Sequence, residues 1–95
     1  MDPENIYNKL QKSAEEYADS EAAASLLEEM KHTVLSQCAA DWPSDSMSSA
    51  ESKARRDPRY IAHLENMVTA RKHANKCKAK YYSIQTWIDL MRTKE

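Results

Sequence analysis

Small and apolar residues recur along the first part of the chain at steps that alternate four and three. They fall at Ile6, Leu10, Ser13, Tyr17, Ser20, Ala24, Leu27, Val34 and Cys38, with Lys31 in the same row. That rhythm draws one seam down the side of a helix, at the spacing of a coiled coil. Serines and a lysine interrupt the apolar character, and Ala22-Ala23-Ala24 would let another helix come close. A second stripe runs through Tyr60, Leu64, Met67, Ala70, Ala74, Cys77, Tyr81, Ile84, Ile88 and Met91. Trp87 adjoins Ile84, Ile88 and Met91, so the end of this stripe carries the richest apolar patch.

Helix boundaries follow from local chemistry. Asp2-Pro3 is a start signal: the carboxylate accepts from free amides and proline suits the first helical position. Trp42-Pro43 is a stop, because proline disfavours helical geometry in the residue before it. Ser44, Asp45, Ser46, Ser48 and Ser49 form a polar connector, with a short helical turn from Ser49 to Arg55 inside it. Asp57-Pro58 repeats the start signal. The pattern therefore predicts one all-α domain over residues 1–95: a helix over about 3–40, a connector over about 41–56 and a helix over about 57–93. Each long helix reaches on the order of 50 Å at 1.5 Å per residue. The connector is long enough for the second helix to fold back antiparallel as a coiled-coil-like hairpin. One hairpin is not expected to cover both stripes, so the chain is expected to form a homo-oligomer. Tyr60, Leu64, Tyr81, Ile84, Trp87, Ile88 and Met91 are the expected interface.

Composition narrows the chemistry. The 95 residues include no glycine. Phosphate-cradling glycine loops and a G-x-S-x-G nucleophile elbow are thereby excluded. Ala, Glu, Lys, Met and Leu, all strong helix formers, fill the sequence. No apolar run approaches the length of a membrane span, and Met1-Asp2-Pro3-Glu4 lacks the features of a signal peptide. A cytoplasmic location is the expectation, with Cys38 and Cys77 as reduced thiols.

Charge divides the chain. Residues 1–47 hold three Lys/Arg and ten Asp/Glu, a net −7, and residues 48–95 hold eleven and five, a net +6. Arg71, Lys72, Lys76, Lys78 and Lys80 lie within ten residues, and Lys53, Arg55, Arg56 and Arg59 lie upstream. Steps near four put Arg71, Lys72, Lys76 and Lys80 on one helix face, with Tyr81 and Tyr82 beside it. A positive stripe with adjoining aromatics suits single-stranded DNA, through phosphate contacts and base stacking. The opposing reading is that this stripe pairs with the acidic first helix, where Glu15, Glu16, Asp19, Glu21, Glu28 and Glu29 are well placed.

Other chemistry is thin. His73 and Cys77, four apart, share a face at a two-ligand metal spacing, but His32 and Cys38 would not converge on them. Thiol catalysis at Cys77 would need an oriented base, for which His73 could approach, and also an oxyanion site and a substrate cleft that nothing here suggests. No catalytic residue, metal site or cofactor is expected, and the chain reads as a non-enzyme.

The run Asp57-Pro58-Arg59-Tyr60-Ile61, then Leu64, Ala70, Ala74, Tyr81, Ile84, Trp87 and Arg92-Thr93-Lys94-Glu95, resembles a group of small helical proteins of tailed bacteriophages. It also resembles, distantly, the UvsY-type recombination mediators. The resemblance implies a phage-type accessory protein of recombination or replication that oligomerises and binds single-stranded DNA electrostatically. Arg55, Arg56, Arg59, Arg71, Lys72, Lys76, Lys78 and Lys80 would meet the backbone, with a recombinase or a single-strand-binding protein as partner. The alternative is a helical protein-binding adaptor, or an inhibitor of a host or defence protein, that binds no nucleic acid.

Overall fold

A computed structural model describes residues 2–42 and 46–93. Met1, Pro43, Ser44, Asp45, Lys94 and Glu95 lie outside the described residues. So do the stop expected at Pro43, the connector positions Ser44 and Asp45, and the end of the phage-like run. Four helices follow in order: α1 (Pro3–Glu29), α2 (Lys31–Ala40), α3 (Met47–Ala54) and α4 (Pro58–Thr93). There is no strand among the described residues.

The start signals act as capping chemistry requires. The Asp2 carboxylate accepts from the Glu4 amide at 3.0 Å, and Pro3 opens α1. The Ser46 hydroxyl accepts from the Ser49 amide at 3.1 Å and starts α3. The Asp57 carboxylate accepts from the Arg59 amide at 2.8 Å, with Pro58 at the head of α4. Each satisfies an amide that a helix start leaves without an internal partner.

The continuous helix expected over 3–40 is divided. Met30 sits at φ −78°, ψ −7° between α1 and α2, without glycine or proline at the break. A side chain meets the backbone there instead: His63 Nε2 on α4 donates to the Leu27 carbonyl at 2.8 Å. The helical bonding carries on through the break, with the Met30 amide donating to the Leu26 carbonyl and the Val34 amide to the Met30 carbonyl, each at 3.0 Å.

α1 lies antiparallel against α4, forming the hairpin's shaft, while α2 and α3 pack at its closed end. The closed end holds a small core of Leu35, Cys38, Ala54 and Tyr60, flanked by Val34, Ala39 and Leu64. Along the shaft the two predicted seams face each other. Every member of the first is buried or half-buried, and so is every member of the second except Met91. One hairpin therefore covers both stripes in large part, with Met91 at the open end left exposed. The reason is residue size. Ser13, Ser20, Ala24, Ala74 and Cys77 are all buried, so the shaft helices approach closely. The seam serines are accommodated because each hydroxyl donates within its own helix, Ser13 to the Leu10 carbonyl at 2.9 Å and Ser20 to the Tyr17 carbonyl at 3.0 Å. A buried hydroxyl left without such a bond would cost about 1–3 kcal/mol. The result is a rod with extents of 71 × 17 × 16 Å. No helix among the described residues is long and apolar enough to cross a membrane.

Candidate functional site

The basic residues are distributed by α4 onto different sides of the rod. Arg71 and Lys80 are nine residues apart, which at about 100° per residue is half a turn of the helix wheel. They therefore straddle the seam, and both reach the acidic helix. The Arg71 guanidinium grips Glu28 twice, Nη2 to Oε1 at 2.7 Å and Nε to Oε2 at 3.0 Å, and holds Glu21 through Nη1 at 2.6 Å. Lys80 Nζ stands 3.5 Å from Glu16 Oε2 on the other flank. These bonds from Arg71 pull the Glu28 carboxyl below its ordinary range. In turn, the hydrogen bonds to Glu28 and then Glu21 raise Arg71 and keep it charged. The single face expected for Arg71, Lys72, Lys76 and Lys80 is thus divided: two flank the seam and pair with carboxylates. Lys72 and Lys76, exposed, lie on the arc turned away from α1.

Arg59 is engaged as well. Its Nη2 and Nε meet the Asp57 carboxylate at 2.8 and 3.1 Å, and its Nη1 meets Asp41 at 2.7 Å. Asp57 is buried, and it also accepts from Trp42 Nε1 at 3.1 Å. The Arg59 guanidinium, then the Arg59 amide and then Trp42 hold the Asp57 carboxyl well below the usual carboxylate range. Trp42 and Asp57 looked like punctuation in the sequence, a stop and a cap. Together with Arg59 and Asp41 they form a clamp that ties the end of α2 to the start of α4. A tryptophan near one helix end and an acidic residue at the next start carry no spacing rule that would have paired them.

Arg55, Arg56, Lys72, Lys76 and Lys78 remain exposed and make no ion pair among the described residues. Lys78 lies well around the helix from Lys72 and Lys76, and Arg55 and Arg56 stand at the closed end. The tyrosines expected as stacking platforms contact one another. Tyr17, Tyr81 and Tyr82 form a cluster with centroids 5.5–6.4 Å apart. Tyr82 is exposed and Tyr81 half-buried.

Of the expected interface residues, Tyr60 is buried in the closed-end core, and Leu64, Tyr81, Ile84 and Ile88 are half-buried in the chain itself. Trp87 and Met91 stay partly exposed at the open end, around a groove of about 480 Å³ that also involves Ile6, Tyr7, Leu10 and Ile88. The His73–Cys77 pair is in contact, Sγ to Nε2 at 3.7 Å, and both cysteines are free and buried. No group of three metal-ligating side chains gathers among the described residues.

Neither a family model nor a curated protein nor a solved structure matches the chain.

Proposed function

We propose that this chain is a non-catalytic, self-assembling helical adaptor, whose first partner is another copy of itself. One observation turns the reading away from nucleic acid and toward docking between helices. Arg59, Arg71 and Lys80, three cations a DNA backbone would have called on, are held by Asp41, Asp57, Glu16, Glu21 and Glu28 of the same chain. Each phosphate bound at those positions would first have to break an ion pair, which removes much of the gain from counterion release. What the rod presents outward is helix surface with exposed apolar side chains, the material of helix-on-helix docking. Sedimentation equilibrium at micromolar concentration tests this. A mass well above the 10.9 kDa of one chain is expected, and a monomer at every concentration would overturn the reading.

A second reading is favoured by the exposure of Arg55, Arg56, Lys72, Lys76 and Lys78 and by the resemblance to phage recombination mediators. In it the chain binds single-stranded DNA beside a recombinase or single-strand-binding protein. Fluorescence anisotropy with a labelled oligonucleotide at low and moderate salt tests it. Binding that falls steeply with salt is expected, and no binding at low salt rules it out.

A further inference from the structure

The core seam does not exhaust the helix pattern. On the side of α1 turned away from α4 lie Asp19, Leu26 and Glu29, all exposed, with Leu26 57% accessible. On the side of α4 turned away from α1 lie Val68, Lys72 and Lys76, all exposed, with Val68 56% accessible. Asp19, Glu29, Lys72 and Lys76 make no ion pair among the described residues. One outer face is therefore acidic around an aliphatic residue, and the other is basic around an aliphatic residue.

Their heights agree. Inside the hairpin Tyr17 meets Tyr81 and Glu16 meets Lys80. Carrying that register along the shaft puts Leu26 level with the stretch between Val68 and Lys72. Asp19 then stands within a turn of Lys76, and Glu29 about one turn from Lys72. We infer that a second copy of this chain, pointing the same way, docks side by side, the outer face of its α1 against the outer face of the first copy's α4. Such a neighbour repeats the antiparallel register already used within the chain. Leu26 then covers Val68, and Asp19 and Glu29 neutralise Lys76 and Lys72. Charge complementarity is the argument for self-docking, since the surface that fits each face is on the chain itself. The contact is head-to-tail in kind: each copy offers two different faces, so association continues until the rotation closes or a filament forms.

The inference rests on the reading of the chain as self-assembling, and the experiment separates the two. Two double variants of the full chain are made, Lys72→Glu with Lys76→Glu, and Asp19→Lys with Glu29→Lys. Sedimentation equilibrium is expected to show self-association weakened at least tenfold in each. A 1:1 mixture is expected to recover it, because every acidic face then finds a basic one. Geometry is tested separately by single cysteines. Leu26→Cys and Val68→Cys chains are expected to form an interchain disulfide when mixed under mild oxidation, and neither alone is expected to do so. If the wild-type chain assembles but both charge variants assemble equally well, or Leu26→Cys crosslinks to itself, the inference falls and the self-assembly reading stands. A monomeric wild-type chain removes both. An oligonucleotide that the monomeric chain binds, and that the Lys72/Lys76 variant does not, gives the basic face to nucleic acid instead. Circular dichroism identifies any variant that fails to fold, and the cysteine pair then decides.

Discussion

Asp57 is the residue on which most of the closed end depends. Its carboxylate caps α4, accepts from the Trp42 indole and holds the Arg59 guanidinium. Its pKa is depressed in the folded chain, chiefly by the Arg59 side chain. A carboxyl depressed on folding adds stability above its unfolded pKa of about 3.9, and that stability is lost as the pH falls toward the folded value. Thermal melts followed by circular dichroism should therefore show Tm falling as the pH drops below about 4. Asp57→Asn should lower Tm at neutral pH and flatten that acid limb; an unchanged limb would show that the clamp contributes nothing. Ser20 is the contrasting case. It is buried, yet its hydroxyl bonds only to the carbonyl one turn back. Ser20→Ala removes a polar group without leaving a partner unpaired, so urea melts should place it within about 0.5 kcal/mol of the parent.

At the scale of elements, the shaft depends on small side chains where two helices cross closely. Ala24 and Ala74 have no accessible surface at all. Ala24→Leu should force the helices apart and cost about 1–3 kcal/mol in a denaturant melt, even though leucine is nearly as good a helix former. A neutral result would mean that the shaft has slack the buried alanines do not suggest. The seams themselves were legible position by position, because the alternation of four and three survives even where serine and lysine occupy it. The division at Met30 was not legible. Nothing local marks it, and the side chain that meets the backbone there, His63, comes from thirty-six residues away.

The whole molecule is a rod. Its radius of gyration of 20.6 Å compares with about 12 Å for a compact domain of this length. That shape makes the direction of assembly measurable. In a pair of chains, side-by-side docking raises mass and cross-section while maximum length stays near 71 Å, whereas docking through Trp87, Leu90 and Met91 at the open end lengthens the particle. Small-angle X-ray scattering at the concentrations where pairs first form should show the first behaviour, and a pair clearly longer than one chain would point to the open-end patch.

Residue order alone sufficed for the helical content, the starts at Asp2-Pro3 and Asp57-Pro58, and both seams. These are local: helix propensity, capping and the 3.6-residue period act over a few positions and need no knowledge of the rest of the chain. The opposed charge of the two halves was equally plain, but its use was not. Whether Arg71 and Lys80 face solvent or carboxylates depends on which helix lies beside them and at what height, and only the packed hairpin sets that. The same holds for Trp42, which meets Asp57 fifteen residues on, beyond α3. Charge and aromatic groups act at a distance set by tertiary contact. The pairing of Arg59, Arg71 and Lys80 was therefore decided by the fold, together with the identity of the two faces left outward.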